Sequence, residues 1–276
     1  MTLLFHKMHG AGNDFVLIDL RSEIFRPGPE TARALADRHR GVGCDQLLLL
    51  REPENPAHLL RYEIWNADGT PAGQCGNGAR CVALYVARNG EYPGQPYALE
   101  SPAGTVNVRH CEDGEFELDM GAPDFRPDRV PITLPGENGR YRLDSPWGPL
   151  EFGAAWLGNP HALLIRDTLE DADIPSIGAW LGRQAAFPEG VNAGFAVLRN
   201  RNEIDLRVVE RGAGETLACG SGACAAVAIL RRSDRVDERV DVFLPGGRLV
   251  IQWPGTAAPL SMKGPAEHVF RGIMNE

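Results

Sequence analysis

Hydrophobic and polar positions along the chain fall into two kinds of pattern. Residues 79–88 carry Cys81, Val82, Leu84, Tyr85, Val86 and Ala87, a spacing that predicts a helix, and the run stops at Asn89-Gly90, a pair suited to a left-handed C-cap. Residues 223–230 are apolar throughout and predict a second helix, with Arg231-Arg232 placed to favour the negative end of its dipole. A helix apolar all round has to be enclosed. The walls are at hand: Arg61–Asn66, Glu203–Glu210 and residues 105–110 and 117–120 alternate or are rich in β-formers, while 240–244 and 249–253 flank Pro245-Gly246-Gly247 as a hairpin. The expectation is an α+β fold of two units, each a curved mixed or antiparallel sheet wrapped around one central helix.

An internal repeat makes the two units relatives of one another. Asn66 and Glu210 each precede a cysteine by nine residues: Gln74-Cys75-Gly76-Asn77-Gly78-Ala79 in one half, Ala218-Cys219-Gly220-Ser221-Gly222-Ala223 in the other. Upstream, Gly12-Asn13 pairs with Gly158-Asn159 and Gly41-Val42 with Gly190-Val191, at an offset of about 145 residues. A period that long predicts two facing domains of similar build, with an active site in the cleft between them, and excludes a solenoid.

Composition changes the picture mainly by exclusion. Of 276 residues, 43% are hydrophobic and 24% charged, which rules out disorder, and the net charge of −9 argues against a nucleic-acid footprint built from clustered Lys and Arg. The expected partner is a small molecule. Residues 1–10 hold only a short apolar run before His6 and Lys7, and no stretch approaches the roughly 20 apolar residues that span a bilayer. No leader and no membrane role are expected. Six cysteines then read as cytoplasmic thiols, not as a disulfide framework.

Two of those thiols stand apart. Cys75 and Cys219 each sit at the mouth of a predicted buried helix, followed by Gly-X-Gly, so unobstructed N–H groups and about half a positive charge face an anion there. Such a mouth favours a thiolate and can grip a substrate carboxylate. Two thiols flanking one α-carbon meet the need of a two-base epimerisation, in which one removes the α-proton and the other delivers a proton to the opposite face. Neither a complete dinucleotide fingerprint nor a P-loop is present, so no cofactor is expected. Cys44 and Cys111 read as small core residues and Cys81 and Cys224 as helix packing. A zinc site fits poorly, because Cys-x5-Cys and Cys-x4-Cys with the second member on a helix are not the usual knuckles. A racemase for some other amino acid and a thiol redox protein stay open at this point.

The motifs also carry a resemblance. His9-Gly10-Ala11-Gly12-Asn13-Asp14-Phe15, Asn66-Ala67-Asp68-Gly69, residues 74–81, Gly158-Asn159-Pro160-His161 and residues 210–225 resemble the signature segments of diaminopimelate epimerases, in family order along nearly the whole chain. Proline racemases and hydroxyproline epimerases share the two-cysteine logic but carry different residues around both thiols. The resemblance implies cofactor-independent interconversion of LL- and meso-2,6-diaminopimelate in lysine and peptidoglycan-precursor synthesis. It implies that Cys75 and Cys219 are the acid/base pair and that Gly76, Asn77, Gly220 and Ser221 hold the reacting carboxylate. Asn13, Gln46, Asn66, Asn159, Asn192 and Arg211 become further substrate contacts, and His161 and Glu210 tune the two thiols and contact the reacting amino group. Arg211 suits this on its own terms, since a planar guanidinium matches a second carboxylate bidentately. No metal is implied, and a cytoplasmic homodimer is. The expected domains are 1–120, completed by a returning strand at 266–276, and 121–265. Two positions depart from the common family pattern: Cys44, where relatives often have Phe or Ala, and Phe270, where many have Tyr.

Overall fold

The computed structural model describes residues 2–23, 26–137, 139–255 and 258–275. The chain divides into two compact units, Met1–Asp119 with Lys263–Glu276, and Met120–Met262. The first contains β1 (Thr2–Gly10), β2 (Asn13–Asp19), α1 (Pro29–Ala36), β3 (Gln46–Arg51), β4 (Arg61–Asn66), β5 (Pro71–Ala72), α2 (Gly76–Arg88), β6 (Tyr97–Ser101), β7 (Gly104–His110) and β8 (Phe116–Asp119). The second contains β9 (Arg140–Ser145), β10 (Gly148–Trp156), β11 (Pro160–Ile165), α3 (Ile174–Leu181), β12 (Asn192–Asn200), β13 (Glu203–Glu210), β14 (Gly214–Thr216), α4 (Gly220–Arg232), β15 (Arg239–Leu244) and β16 (Gly247–Gln252). β17 (Ser261–Gly264) leads into β18 (Glu267–Asn275), which returns to the first unit and pairs antiparallel with β1.

The duplication read from the cysteine motifs is a duplication of topology. In the first unit β1 and β2 are antiparallel, β2 and β3 parallel, β3 and β4 antiparallel, and β4 continues into the short β5 and the parallel β6. In the second, β10 and β11 are antiparallel, β11 and β12 parallel, β12 and β13 antiparallel, and β13 pairs antiparallel with the short β14 and parallel with β15, the same senses in the same order.

β2 and β3 read Asn-Asp-Phe-Val-Leu-Ile-Asp and Gln-Leu-Leu-Leu-Leu-Arg and are buried on both faces, the pattern of strands covered from two sides. One face, with Val16, Ile18, Leu47 and Leu49, packs under Ala32, Leu35 and Ala36 of α1. Each such fully buried aliphatic side chain contributes roughly 1.5–3 kcal/mol. The other face meets α2. A Cβ on Gly78 would lie 3.2 Å from Leu48 and 3.3 Å from Phe15, so glycine lets the helix mouth lie this close to the sheet. In the second unit Ile174, Ile177 and Leu181 of α3 play the part of α1, packing with Phe152, Leu164 and Phe195.

Two differences from the sequence reading follow from local chemistry. Both central helices start at the glycine after the cysteine, earlier than their hydrophobic runs, because Gly-Asn-Gly and Gly-Ser-Gly carry no periodicity to read. Each sheet also bears a second helix on its outer face, α1 or α3, which the picture of a single central helix left out. At the end of α2 the expected cap is present, with Gly90 at φ +73°.

Candidate active site

Each catalytic candidate caps its helix. Cys75 stands in extended conformation before Gly76, its carbonyl accepting from Ala79 N (2.9 Å) and its sulfur receiving the Gly78 N–H at 3.4 Å. Cys219 does the same before Gly220, its carbonyl accepting from Ala223 N at 3.0 Å. A Cβ on Gly222 would lie 3.1 Å from Val208 and 3.2 Å from the Cys219 sulfur, so glycine lets the helix mouth lie close to the thiol.

Around Cys75 the first unit gathers neutral amides. Asn13 enters β2 after a turn in which Ala11 and Gly12 both take positive φ, and its Oδ1 lies 3.7 Å from the Cys75 sulfur, which donates to it. The same oxygen accepts from Asn77 Nδ2 at 3.2 Å. Gln46 and Asn66 are cross-strand partners on β3 and β4, and Gln46 Nε2 donates to Asn66 Oδ1 at 2.9 Å. Asn66 Nδ2 in turn donates to Thr70 at 3.0 Å. Strand order thus brings Asn13, Gln46 and Asn66 to one end of three neighbouring strands.

The second unit repeats this placement with different chemistry. His161 and Asn192 face each other across the parallel β11–β12 pair, where Phe15 and Gln46 face each other in the first unit. Glu210 ends β13 as Asn66 ends β4. His161 is almost fully buried; its Nε2 lies 2.7 Å from Asn159 Oδ1 and 3.1 Å from Ser221 Oγ. Burial pushes its pKa down to about 3, so the ring is neutral near pH 7. Ser221 Oγ is 3.7 Å from the Cys219 sulfur, and Glu210 Oε1 accepts from Thr216 at 2.6 Å. Asn192 Oδ1 accepts the backbone N–H of Arg211 at 2.8 Å, and the exposed Arg211 guanidinium donates to the Glu189 carbonyl.

One expectation needs correction. A helix mouth was expected to favour the thiolate at both cysteines, yet Cys219 is pushed well above its ordinary range. Burial comes first and the Glu210 carboxylate second, and together they outweigh the Ser221 hydroxyl and Gly222 N–H that favour the anion. Cys219 is therefore a thiol as it stands. Cys44 and Cys81 are buried and likewise pushed up, Cys44 to about 11, in keeping with packing roles. Cys111, expected in the core, is only half-buried, in the turn after β7.

Sequence reasoning missed the residues behind the contacts. Asp45 accepts from Asn13 Nδ2 (3.0 Å) and is itself held by Arg38 (2.8 Å), while Arg80 donates to Asn77 Oδ1 (2.8 Å). No motif signals Asp45 or Arg38; a charged residue within the apolar run of α2 was the available sign of Arg80. Among the described residues no group of three or more His, Cys, Asp or Glu is arranged to hold a metal ion, and no helix is long and apolar enough to cross a membrane.

Known proteins share this build. The family model described as diaminopimelate epimerase matches residues 5–126 and 153–269. A diaminopimelate epimerase from Xanthomonas axonopodis pv. citri is 45% identical over 274 residues, covering 99% of this chain and 96% of that one. An O-ureido-serine racemase from Streptomyces lavendulae is 48% identical over 273 residues, 98% of this chain and 95% of that one. The fold is also that of a hydroxyproline epimerase from Agrobacterium vitis, with a TM-score of 0.72 at 16% identity over 99% of this chain and 92% of that one. With a family model spanning most of both units and full-length relatives at this identity, the chain belongs to the diaminopimelate epimerase family.

Proposed function

We propose that the chain interconverts LL- and meso-2,6-diaminopimelate, with Cys75 and Cys219 acting on opposite faces of one α-carbon. The observation that carries this reading is the pair of cysteines, each the N-cap of a buried helix and each followed by Gly-X-Gly. In the forward step a thiolate takes the α-proton. The C–H bond breaks, an S–H bond forms, and the electron pair spreads into the carboxylate as an enolate. The opposite thiol then gives its proton to the other face, and the two sulfurs leave with their protonation states exchanged. The N–H groups of Gly76, Asn77, Gly220 and Ser221 are assigned to the reacting carboxylate, where fixed donors stabilise the added charge without reorganisation. A thiol at Cys219 beside Glu210 suits the acid of such a pair.

Asn13, Gln46, Asn66, Asn159, Asn192 and Arg211 are assigned to the rest of the substrate, with Arg211 on the distal carboxylate. His161 is assigned to fixing Ser221 and Asn159, and Glu210 to setting the Cys219 proton and meeting the reacting amino group. A second reading has its own support in the 48% identical O-ureido-serine racemase, which would replace the distal amino acid by a neutral ureido group. Arg211 favours the first reading, since a substrate without a distal carboxylate leaves the guanidinium without its anion. Incubation with LL-diaminopimelate and, separately, with O-ureido-serine, followed by resolution of the stereoisomers, distinguishes the two.

The two epimerase domains are taken to follow the two units, and the enzyme to act as a cytoplasmic homodimer without cofactor. Six free thiols fit a reducing compartment. The exposed Leu4, Val269, Phe270 and Ile273 on β1 and β18 supply an apolar edge for a second copy. Sedimentation of the wild type and of Phe270→Glu tests that assignment: a dimer that dissociates in the variant supports it, and a monomeric wild type refutes it.

A further inference from the structure

Arg80 lies inside α2, five positions past Cys75, and is fully buried. Its Nη2 donates to Asn77 Oδ1 (2.8 Å) and its Nε to the carbonyl of Pro265 (3.0 Å), on the segment that leads into β18. The packing is close: a Cβ on Gly10 would lie 3.0 Å from the Asn77 carbonyl and 3.3 Å from Arg80 Nη2. A cation taken out of water is costly and persists where its geometry is used. The duplication supplies a control. Cys224 occupies the same position of α4, five past Cys219, so this helix does not need a cation there in order to fold and pack.

What Arg80 holds is the seat of one thiol. An amide can turn end for end, and Asn77 is kept in one sense because its oxygen faces a guanidinium that only donates. Its Nδ2 is then committed to Asn13 Oδ1 at 3.2 Å, and that oxygen receives the Cys75 sulfur at 3.7 Å. Asp45, an acceptor, fixes the other end of Asn13. The hydrogen-bonded chain thus runs from Arg80 through Asn77 and Asn13 to Cys75, with a positive charge behind a helix mouth that already favours anions.

We propose that Arg80 is a positioning residue for the Cys75 half of the reaction: it locks the Asn77–Asn13 amide pair and places a cation behind this thiol at the helix position where the second unit has Cys224. The proposal rests on the two-thiol reading above for its catalytic consequence, but its effect on Cys75 itself needs no substrate. The test uses Arg80→Met and Arg80→Lys in the full-length protein, with the rate of iodoacetamide labelling at Cys75 and Cys219 mapped by peptide and with kcat and KM for diaminopimelate. In Arg80→Met, Cys75 labelling falls at least about fivefold relative to Cys219 in the same chain, and kcat falls at least about tenfold while KM stays within about threefold. Arg80→Lys restores the labelling ratio to within about twofold, because the charge remains, and recovers kcat only in part, because an ammonium lacks the planar fork. A folded Arg80→Met with the wild-type labelling ratio, or with kcat unchanged, overturns the proposal. If Arg80→Met does not accumulate as folded protein, Arg80→Lys decides: a wild-type labelling ratio with reduced kcat supports the role, and a lost ratio or an unchanged kcat overturns it. A wild type that labels as described yet leaves diaminopimelate unchanged would discard the substrate reading and leave the role of Arg80 at Cys75 intact.

Discussion

The side-chain oxygen of Asn13 faces the sulfur of Cys75 at 3.7 Å, and its orientation follows from the neighbour on its other side, because Asp45 can only accept and so draws the Asn13 nitrogen. This single amide connects the catalytic candidate to an ionic cluster of Lys7, Asp14, Arg38 and Asp45. Arg38 donates to both Asp14 and Asp45, and Lys7 pairs with Asp14.

The orientation of Asn13 therefore depends on Asp45. In Asp45→Ala the amide is free to turn, and kcat/KM for diaminopimelate is expected to fall about tenfold, the scale of one well-placed hydrogen bond, with little change in melting temperature because the site of substitution is exposed. A variant with wild-type kinetics would mean that Asn13 is held by Asn77 alone.

His161 gives a prediction about acid stability. Burial lowers its pKa to about 3 from the ordinary 6.5, so below pH 6.5 the unfolded chain takes up a proton that the folded chain refuses. Stability from this source is intact above pH 6.5 and is lost as pH falls towards 3, with a limiting slope of about 1.4 kcal/mol per pH unit. Urea titrations between pH 4 and pH 7 should show a shallower slope in His161→Gln than in the wild type. Equal slopes would show that the ring titrates normally.

At Glu210 the sign is opposite in its effect on a thiol. The carboxylate raises Cys219, so Glu210→Gln should bring the thiol down and speed its alkylation at pH 8, while epimerisation slows because the proton on Cys219 is less securely held. Slower alkylation in the variant would mean that the carboxylate acts on Cys219 as a base and not as a repelling charge.

Arg211→Met separates the two substrate readings. Loss of the partner of a distal carboxylate should cost about 2 to 5 kcal/mol in kcat/KM for diaminopimelate and far less for O-ureido-serine. An equal loss for both would place Arg211 in the loop architecture, through its contact with Glu189, and not on the substrate.

Much of this was legible in the sequence where chemistry and periodicity coincide. Arg61–Asn66 and Glu203–Glu210 emerge with the bounds read from their β-formers, and Cys75 and Cys219 fall at the N-caps. The family resemblance brought Asn13, Gln46 and Asn66 into view, and strand register accounts for their common end. Other features had weaker signals. Helix α1 is announced only by Gly28-Pro29 and by Ala32, Leu35 and Ala36 at helical spacing, and was lost beside the stronger run of α2. The state of Cys219 was misread because a helix dipole can be inferred from sequence, whereas burial and the approach of Glu210 depend on the packed fold. Asp45, Arg38 and Arg80 act through other residues, and their partners lie far away in sequence or, as with Pro265, on a returning segment.

The claim at the centre is that each thiol serves one face of the α-carbon, and isotope exchange tests it most directly. LL-diaminopimelate is incubated with the enzyme in heavy water and sampled early, and the two epimers are separated and analysed for deuterium. With one thiol removing the proton and the other delivering one from solvent, the meso product carries deuterium at the inverted carbon from the first samples while the remaining LL substrate stays protiated. Equal early labelling of both epimers would mean that a single base exchanges with solvent and returns its proton to either face, which contradicts the assignment of Cys75 and Cys219 as a pair.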